Sequence, residues 1–159
     1  MTQPKISRFD IQNKEHAMPV NYIPNEHHTV TPYIMVEGVE RLMDFLTGTF
    51  GAKSRGVMKS PDGRVMHAQI LVGDSMLMLA EAKPPEWSAQ PASFYLYVPD
   101  CDSAYKKALE AGGMSIMEPM DQFYGDRHCG VKDASGNSWW IATHIEDVSD
   151  EEMKRRMGT

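Results

Sequence analysis

The sequence predicts an α+β domain made of two βαβββ units, and three observations predict it. Between Val30 and Ala82 the apolar periodicity runs strand, helix, strand, strand, strand. The same order recurs from Ser93 onward. The two halves also superpose. Shifted by 62 residues, Val36 falls on Val98 and the helices coincide; shifted by 63, Arg64 falls on Arg127 and Gly73-Asp74-Ser75 on Gly136-Asn137-Ser138. One inserted residue reconciles the two offsets. At 159 residues the chain has room for one such domain and not for two of ordinary size.

Residues 1–29 are polar, hold Pro4, Pro19 and Pro24, and show no sustained period, so they are expected to form an arm. The domain proper is expected over 30–148, with unit one at 30–82 and unit two at 93–145. "VTPYIMV" (30–36) reads as a strand. "GVERLMDFLTGTFG" (38–51) sets Val39, Leu42, Met43, Leu46 and Phe50 on one helical stripe. "AKSRGVMKS" and "RVMHAQILV" flank Pro61-Asp62-Gly63 as a hairpin, and "SMLMLAEA" follows a tight turn at Gly73-Asp74.

In unit two "SFYLYV" (93–98) is a strand, and Asp100 can cap a helix carrying Cys101, Ala104, Tyr105, Ala108 and Leu109, stopped by Gly112-Gly113. "MSIME", "DRHCGVK" and "NSWWIATH" complete the unit. Over 149–159, "SDEEMKRRM" places Ser149 and Glu152 at capping-box spacing, with acids first and bases last, as a short surface helix.

Composition narrows the function. A formal net charge of −6, from 16 basic and 22 acidic residues, argues against a nucleic-acid partner. No apolar run reaches the ~20 residues that span a bilayer, and the N-terminus lacks a secretory pattern. The two cysteines, Cys101 and Cys129, form no framework and no metal-type spacing, so free thiols in a reducing cytoplasm are expected. Thirteen methionines suit an irregular core or an adaptable binding surface equally well.

Four stretches, "HHTVTPYIMVEG", "PDGRVMHAQILVGDSMLMLAE", "QFYGDRHCGVKDASGNSWWIATHIEDVS" and "EEMKRR", resemble the PhnB-like group of the vicinal oxygen chelate superfamily, which holds glyoxalases, bleomycin-resistance proteins and dioxygenases. The resemblance covers residues 28–157. It implies a curved mixed sheet around a cavity with helices outside, and a homodimer, in some relatives with units exchanged between chains.

In metal-dependent members of that superfamily, ligands stand on the first and last strands of each unit. Counting from the strand-ending valines and turn glycines puts Thr31, Leu77, Ser93 and Trp140 in those slots. Leu77 and Trp140 cannot coordinate a cation, and neutral hydroxyls are poor donors. A shift of one residue offers Ser138 or Trp139, which is no better. A non-standard divalent metal site would need His27, His28, His67, His128 or His144 to converge, and the adjacent pair His27-His28 points to opposite faces of an extended chain. No cofactor is therefore expected.

Alternation turns the slots into a face. Tyr33, Met35, Leu79, Glu81, Tyr95, Tyr97, Ala142 and His144 would point inward with Trp140, while Trp139 turns to the helices. For His67, a two-residue turn at Gly73-Asp74 would pair Ile70 with Leu77 and send the imidazole to the helix side; a three-residue loop would reverse this. The resulting expectation is a metal-free pocket that stacks a small aromatic or amphipathic molecule on Trp140, Tyr33 and Tyr95. Arg127, Glu81, Tyr124 and His144 are candidate orienting groups, with a salt bridge as the alternative role for Arg127. Two other readings stay open: a metal-dependent lyase, isomerase or dioxygenase, and a metal-free acid–base enzyme using His144 or Glu81.

Overall fold

The computed structural model describes residues 20–158, so most of the expected arm lies outside the described residues, and residues 20–32 carry neither helix nor strand. Unit one comprises β1 (Tyr33–Val36), α1 (Val39–Phe50), β2 (Lys53–Lys59), β3 (Val65–Val72) and β4 (Ser75–Glu81). Unit two comprises β5 (Ser93–Tyr97), α2 (Cys101–Glu110), β6 (Met114–Asp121), β7 (Asp126–Lys132) and β8 (Ser138–His144), and α3 (Asp150–Met157) follows.

The helix ends follow local chemistry. Asp100 accepts a hydrogen bond from the Ser103 amide at the start of α2, and Ser149 does the same for Glu152 at α3. Helix α1 begins differently. Gly38 at its N-cap has φ 87° and no side chain to offer. Glu81, from the end of β4, supplies the carboxylate instead, accepting from the Gly38 amide at 2.8 Å and the Val39 amide at 3.0 Å. Two otherwise unpaired amides and the positive end of the helix dipole are met by one side chain.

The α+β class and the repeated βαβββ order are as the sequence predicts. The eight strands divide into two four-stranded sheets, β1-β4-β3-β2 and β5-β8-β7-β6, which do not close on each other. In each, the first and last strands of the unit run parallel, pairing Tyr33 with Met78 and Tyr95 with Trp140. Helix α1 packs on β3 and β4, while α2 lies across β6, β7 and β8 and beside α1. From α1, Phe45 and Phe50 reach across to the Trp139 ring of β8, with centroids 6.2 and 5.8 Å apart. The helices thus form a layer between the sheets within one chain, and one continuous core joins Ile34, Val36, Ile70, Leu77 and Leu79 to Val131, Trp139 and Ile141. The other face of each sheet is turned away from that core.

Register corrects the expected inward face of unit one. The β3–β4 turn is the two-residue Gly73-Asp74, with Val72 opposite Ser75, whereas β7 and β8 join through the five-residue loop 133–137, with Lys132 opposite Ser138. Matching the two Gly-X-Ser signals therefore aligns loops of different length and slips β4 by one residue. Strand pairing puts Met78, not Leu77, at the position equivalent to Trp140. Leu77 and Leu79 are buried against the helices, and Glu81 shares their face and caps α1. A one-residue slip reverses every side chain on a strand. For the same reason His67 lies on the open face: Ile70 does pair with Leu77, but both face the helices, and the His67 ring meets that of Tyr33 at 5.9 Å.

Candidate functional site

The open face of the second sheet is where unlike side chains converge. On β5, Phe94 and Leu96 turn to the core, Phe94 stacking on Trp139 at 4.6 Å, so Ser93, Tyr95 and Tyr97 turn outward. On β8 the core takes Trp139 and Ile141, leaving Trp140, Ala142 and His144 outward. On β7, Cys129 and Val131 face inward, leaving Asp126, His128 and Gly130 on the open side. Pairing sets Gly130 beside Trp140, His128 beside Ala142 and Asp126 beside His144.

Asp126 is the hub. Its side chain is only 4% exposed, although it sits on the face that carries exposed tyrosines. Its Oδ2 accepts from the hydroxyls of Tyr95 at 3.1 Å and Tyr97 at 3.0 Å, and its Oδ1 from His144 Nδ1 at 2.8 Å. Burial pushes the Asp126 carboxyl up, but the hydrogen bonds from His144, Tyr97 and Tyr95 together outweigh it and hold the group below the usual carboxylate range. Desolvation, then hydrogen bonding, raises Tyr95, and the bond to Asp126 raises Tyr97, so both stay phenols.

His144 is raised by its bonds to Asp147 and Asp126, the former at 3.0 Å from Nε2. Both of its ring nitrogens are committed to carboxylates. His144 therefore bridges two anions as a cation and has no lone pair free to act as a base.

His128 is the opposite case. Burial lowers it, which favours neutral imidazole. Its Nδ1 lies 2.7 Å from the Tyr124 hydroxyl, and its ring is set edge-on to Tyr95 at 5.8 Å and to Trp140 at 6.0 Å. Trp140 lies over the β7 backbone at Gly130 and donates its indole N–H to Ser93 Oγ at 3.2 Å.

Of the residues anticipated from sequence, Tyr95, Trp140, Tyr124 and His144 come together here. Tyr33 does not join them. It lies on the open face of the first sheet, with Met35, Met58, Met66, His67 and Trp87, around a separate cavity of 330 Å³. Arg127 is on the helix side of β7, paired with Asp102 at 2.6 and 2.8 Å and with Asp121 at 2.8 Å, so its salt-bridge role is the one realised. Glu81 is spent on α1. Sequence reasoning gives Asp126 no site role and His128 only that of a metal ligand; the alternation of "DRHCGVK" against "SWWIATH" is the signal that places both on the open face.

The positions corresponding to the superfamily's metal slots do not fit a divalent cation. Thr31 precedes β1 and donates its hydroxyl to the His28 carbonyl; Leu77 is core, and Met78, which pairing puts in its place, offers only a thioether; Ser93 and Trp140 hydrogen-bond each other. Among the described residues, no three His, Cys, Asp or Glu side chains are grouped so as to hold a metal. A groove of 730 Å³ follows the edge of β5, unpaired among the described residues, and is lined by Tyr95, Tyr97, Gly73 and Asp74 among others. No helix among the described residues is long and apolar enough to cross a membrane.

The sequence model of the Glyoxalase/Bleomycin resistance protein/Dioxygenase superfamily matches residues 26–141. The chain is similar to the uncharacterized protein Rv0887c of Mycobacterium tuberculosis, with 25% identity covering 100% of this chain and 96% of that protein. Among solved structures it resembles TioX from Micromonospora sp. ML1, with TM-score 0.61, 20% identity, and coverage of 73% of this chain and 99% of TioX. It also resembles a PhnB protein from Bacillus cereus, with TM-score 0.59, 19% identity, and coverage of 73% and 99%. At such identities the solved structures speak for the fold alone.

Proposed function

The chain belongs to the Glyoxalase/Bleomycin resistance protein/Dioxygenase superfamily, and within it we propose a metal-free binding protein for a small aromatic or amphipathic molecule, held against the open face of the second sheet. The observation that carries this reading is the ordered aromatic surface itself. Tyr95 and Tyr97 remain 46% and 65% exposed, yet their hydroxyls are fixed on a buried carboxylate beside the half-buried Trp140. Exposed aromatic rings whose polar ends are already held have lost little freedom still to lose on binding, and they suit a planar guest.

A single chain leaves this face open. We read a second copy as its cover, forming a homodimer. The edges of β1 and β5, unpaired among the described residues, and the exposed Tyr33, Met58 and Trp87 on the first sheet's open face, support that assembly. The buried thiols of Cys101 and Cys129, not joined as a disulfide and with sulfurs 3.5 Å apart, suit a reducing cytoplasm.

Thermal unfolding across a panel of planar aromatic molecules, with and without a chelator, tests the reading, because a ligand of the folded state raises the midpoint with concentration. Stabilisation indifferent to chelator and lost in Trp140→Ala is expected. Stabilisation abolished by the chelator would remove the metal-free claim.

A further inference from the structure

The hydrogen bonds of the second sheet's open face run in one direction. Asp126 accepts from Tyr95, whose single hydroxyl proton is then committed. The Tyr95 oxygen can only accept further, so His128 Nδ1, 3.4 Å from it, is the donor of that pair. With its proton on Nδ1, His128 donates also to the Tyr124 oxygen at 2.7 Å. The relay His128 → Tyr95 → Asp126 ends on the anion, as a buried carboxylate dictates.

The consequence falls on the far side of the imidazole. A neutral histidine with its proton on Nδ1 presents a bare lone pair at Nε2. That nitrogen has no protein partner among the described residues, although the ring is half-buried between Trp140, Tyr95 and Tyr124. The other polar atoms of the cluster are paired: Asp126 and His144 with each other, and the Trp140 N–H with Ser93.

We propose that His128 Nε2 is the specificity-determining acceptor of the site, and that its ligand is an aromatic ring bearing a hydrogen-bond donor, of the phenol class. The ring lies against Trp140 and the tyrosines, and its O–H donates to Nε2. An otherwise similar ring carrying only acceptors leaves Nε2 desolvated and unpaired, which disfavours it. This deepens the aromatic-binding reading and rests on it.

Calorimetric titration of the full chain with 2-naphthol and with 2-methoxynaphthalene tests the assignment, since the methyl group removes the donor and keeps the ring. Wild type is expected to prefer 2-naphthol about tenfold, the worth of one good hydrogen bond. His128→Phe should retain binding of 2-methoxynaphthalene and erase the preference, and His128→Gln, which restores an acceptor, should recover part of it. Circular dichroism of each variant checks that the fold is kept. Equal binding of the two probes to wild type, or a preference that survives in His128→Phe, overturns the assignment while aromatic binding stands. If neither probe binds wild type, both this inference and the aromatic reading fall.

Discussion

The indole of Trp140 occupies the space in which a side chain on Gly130 would begin: a Cβ built there would lie 2.5 Å from Trp140 Cζ3 and 2.8 Å from Cε3. The two residues are paired neighbours on β8 and β7. Glycine is needed for this close approach, which lets a large ring lie flat on the sheet and offer its outer side to a guest.

Gly130→Ala is therefore expected to lift Trp140 from the sheet, at a cost of about 1–3 kcal/mol typical of overpacking. Tryptophan emission should change, and binding of aromatic probes should weaken more than the stability loss alone explains. Denaturant unfolding and probe titration on the same variant measure both. An unchanged emission spectrum would show that the indole is not held by this contact.

The two histidines of the site should titrate in opposite directions from the free value near 6.5. His144 is raised, so the stability it contributes is fully present below the unfolded value and is lost as pH rises through its folded value. His128 is lowered, so its neutral form favours the folded state above the unfolded value, and this contribution is lost as pH falls toward its folded value. Imidazole proton chemical shifts followed against pH resolve the two curves. Asp126→Asn should bring His144 down toward the free value, leaving Asp147 as its remaining anionic partner. Curves that shift the same way would contradict the network.

Glu81 separates a structural role from a ligand-binding one. Glu81→Ala should destabilise the protein by about 1 kcal/mol, the usual worth of a helix cap, because the Gly38 and Val39 amides lose their acceptor. Affinity for aromatic probes should not change. A loss of affinity at unchanged stability would return Glu81 to the binding face.

The fold was legible because its signals are local and repeated. The helical stripe of α1, the Asp100 and Ser149 caps and the strand "DRHCGVK" all depend on neighbours in sequence. The face of β4 was not legible, because Gly73-Asp74-Ser75 and Gly136-Asn137-Ser138 look alike while closing loops of two and five residues. Asp126 was hidden for a different reason. Beside Gly125 and Arg127 it reads as part of a polar turn, and only the parallel pairing of β5 with β8 brings Tyr95 and Tyr97, some thirty positions earlier, onto its carboxylate. Trp140, by contrast, announced itself through alternation with Trp139, whose own N–H is taken by Asp133 at 2.8 Å.

The helix layer shared by the two sheets makes the repeat indivisible. Cut between Glu81 and Ser93, the first half would keep Phe45 and Phe50 without the Trp139 surface they rest on, and the second would expose Trp139 to water. Neither fragment would own a complete interior. A tandem ancestry would thus leave no autonomous descendant in this chain: each βαβββ copy has become the solvent shield of the other, and separately expressed halves should gain structure only when mixed.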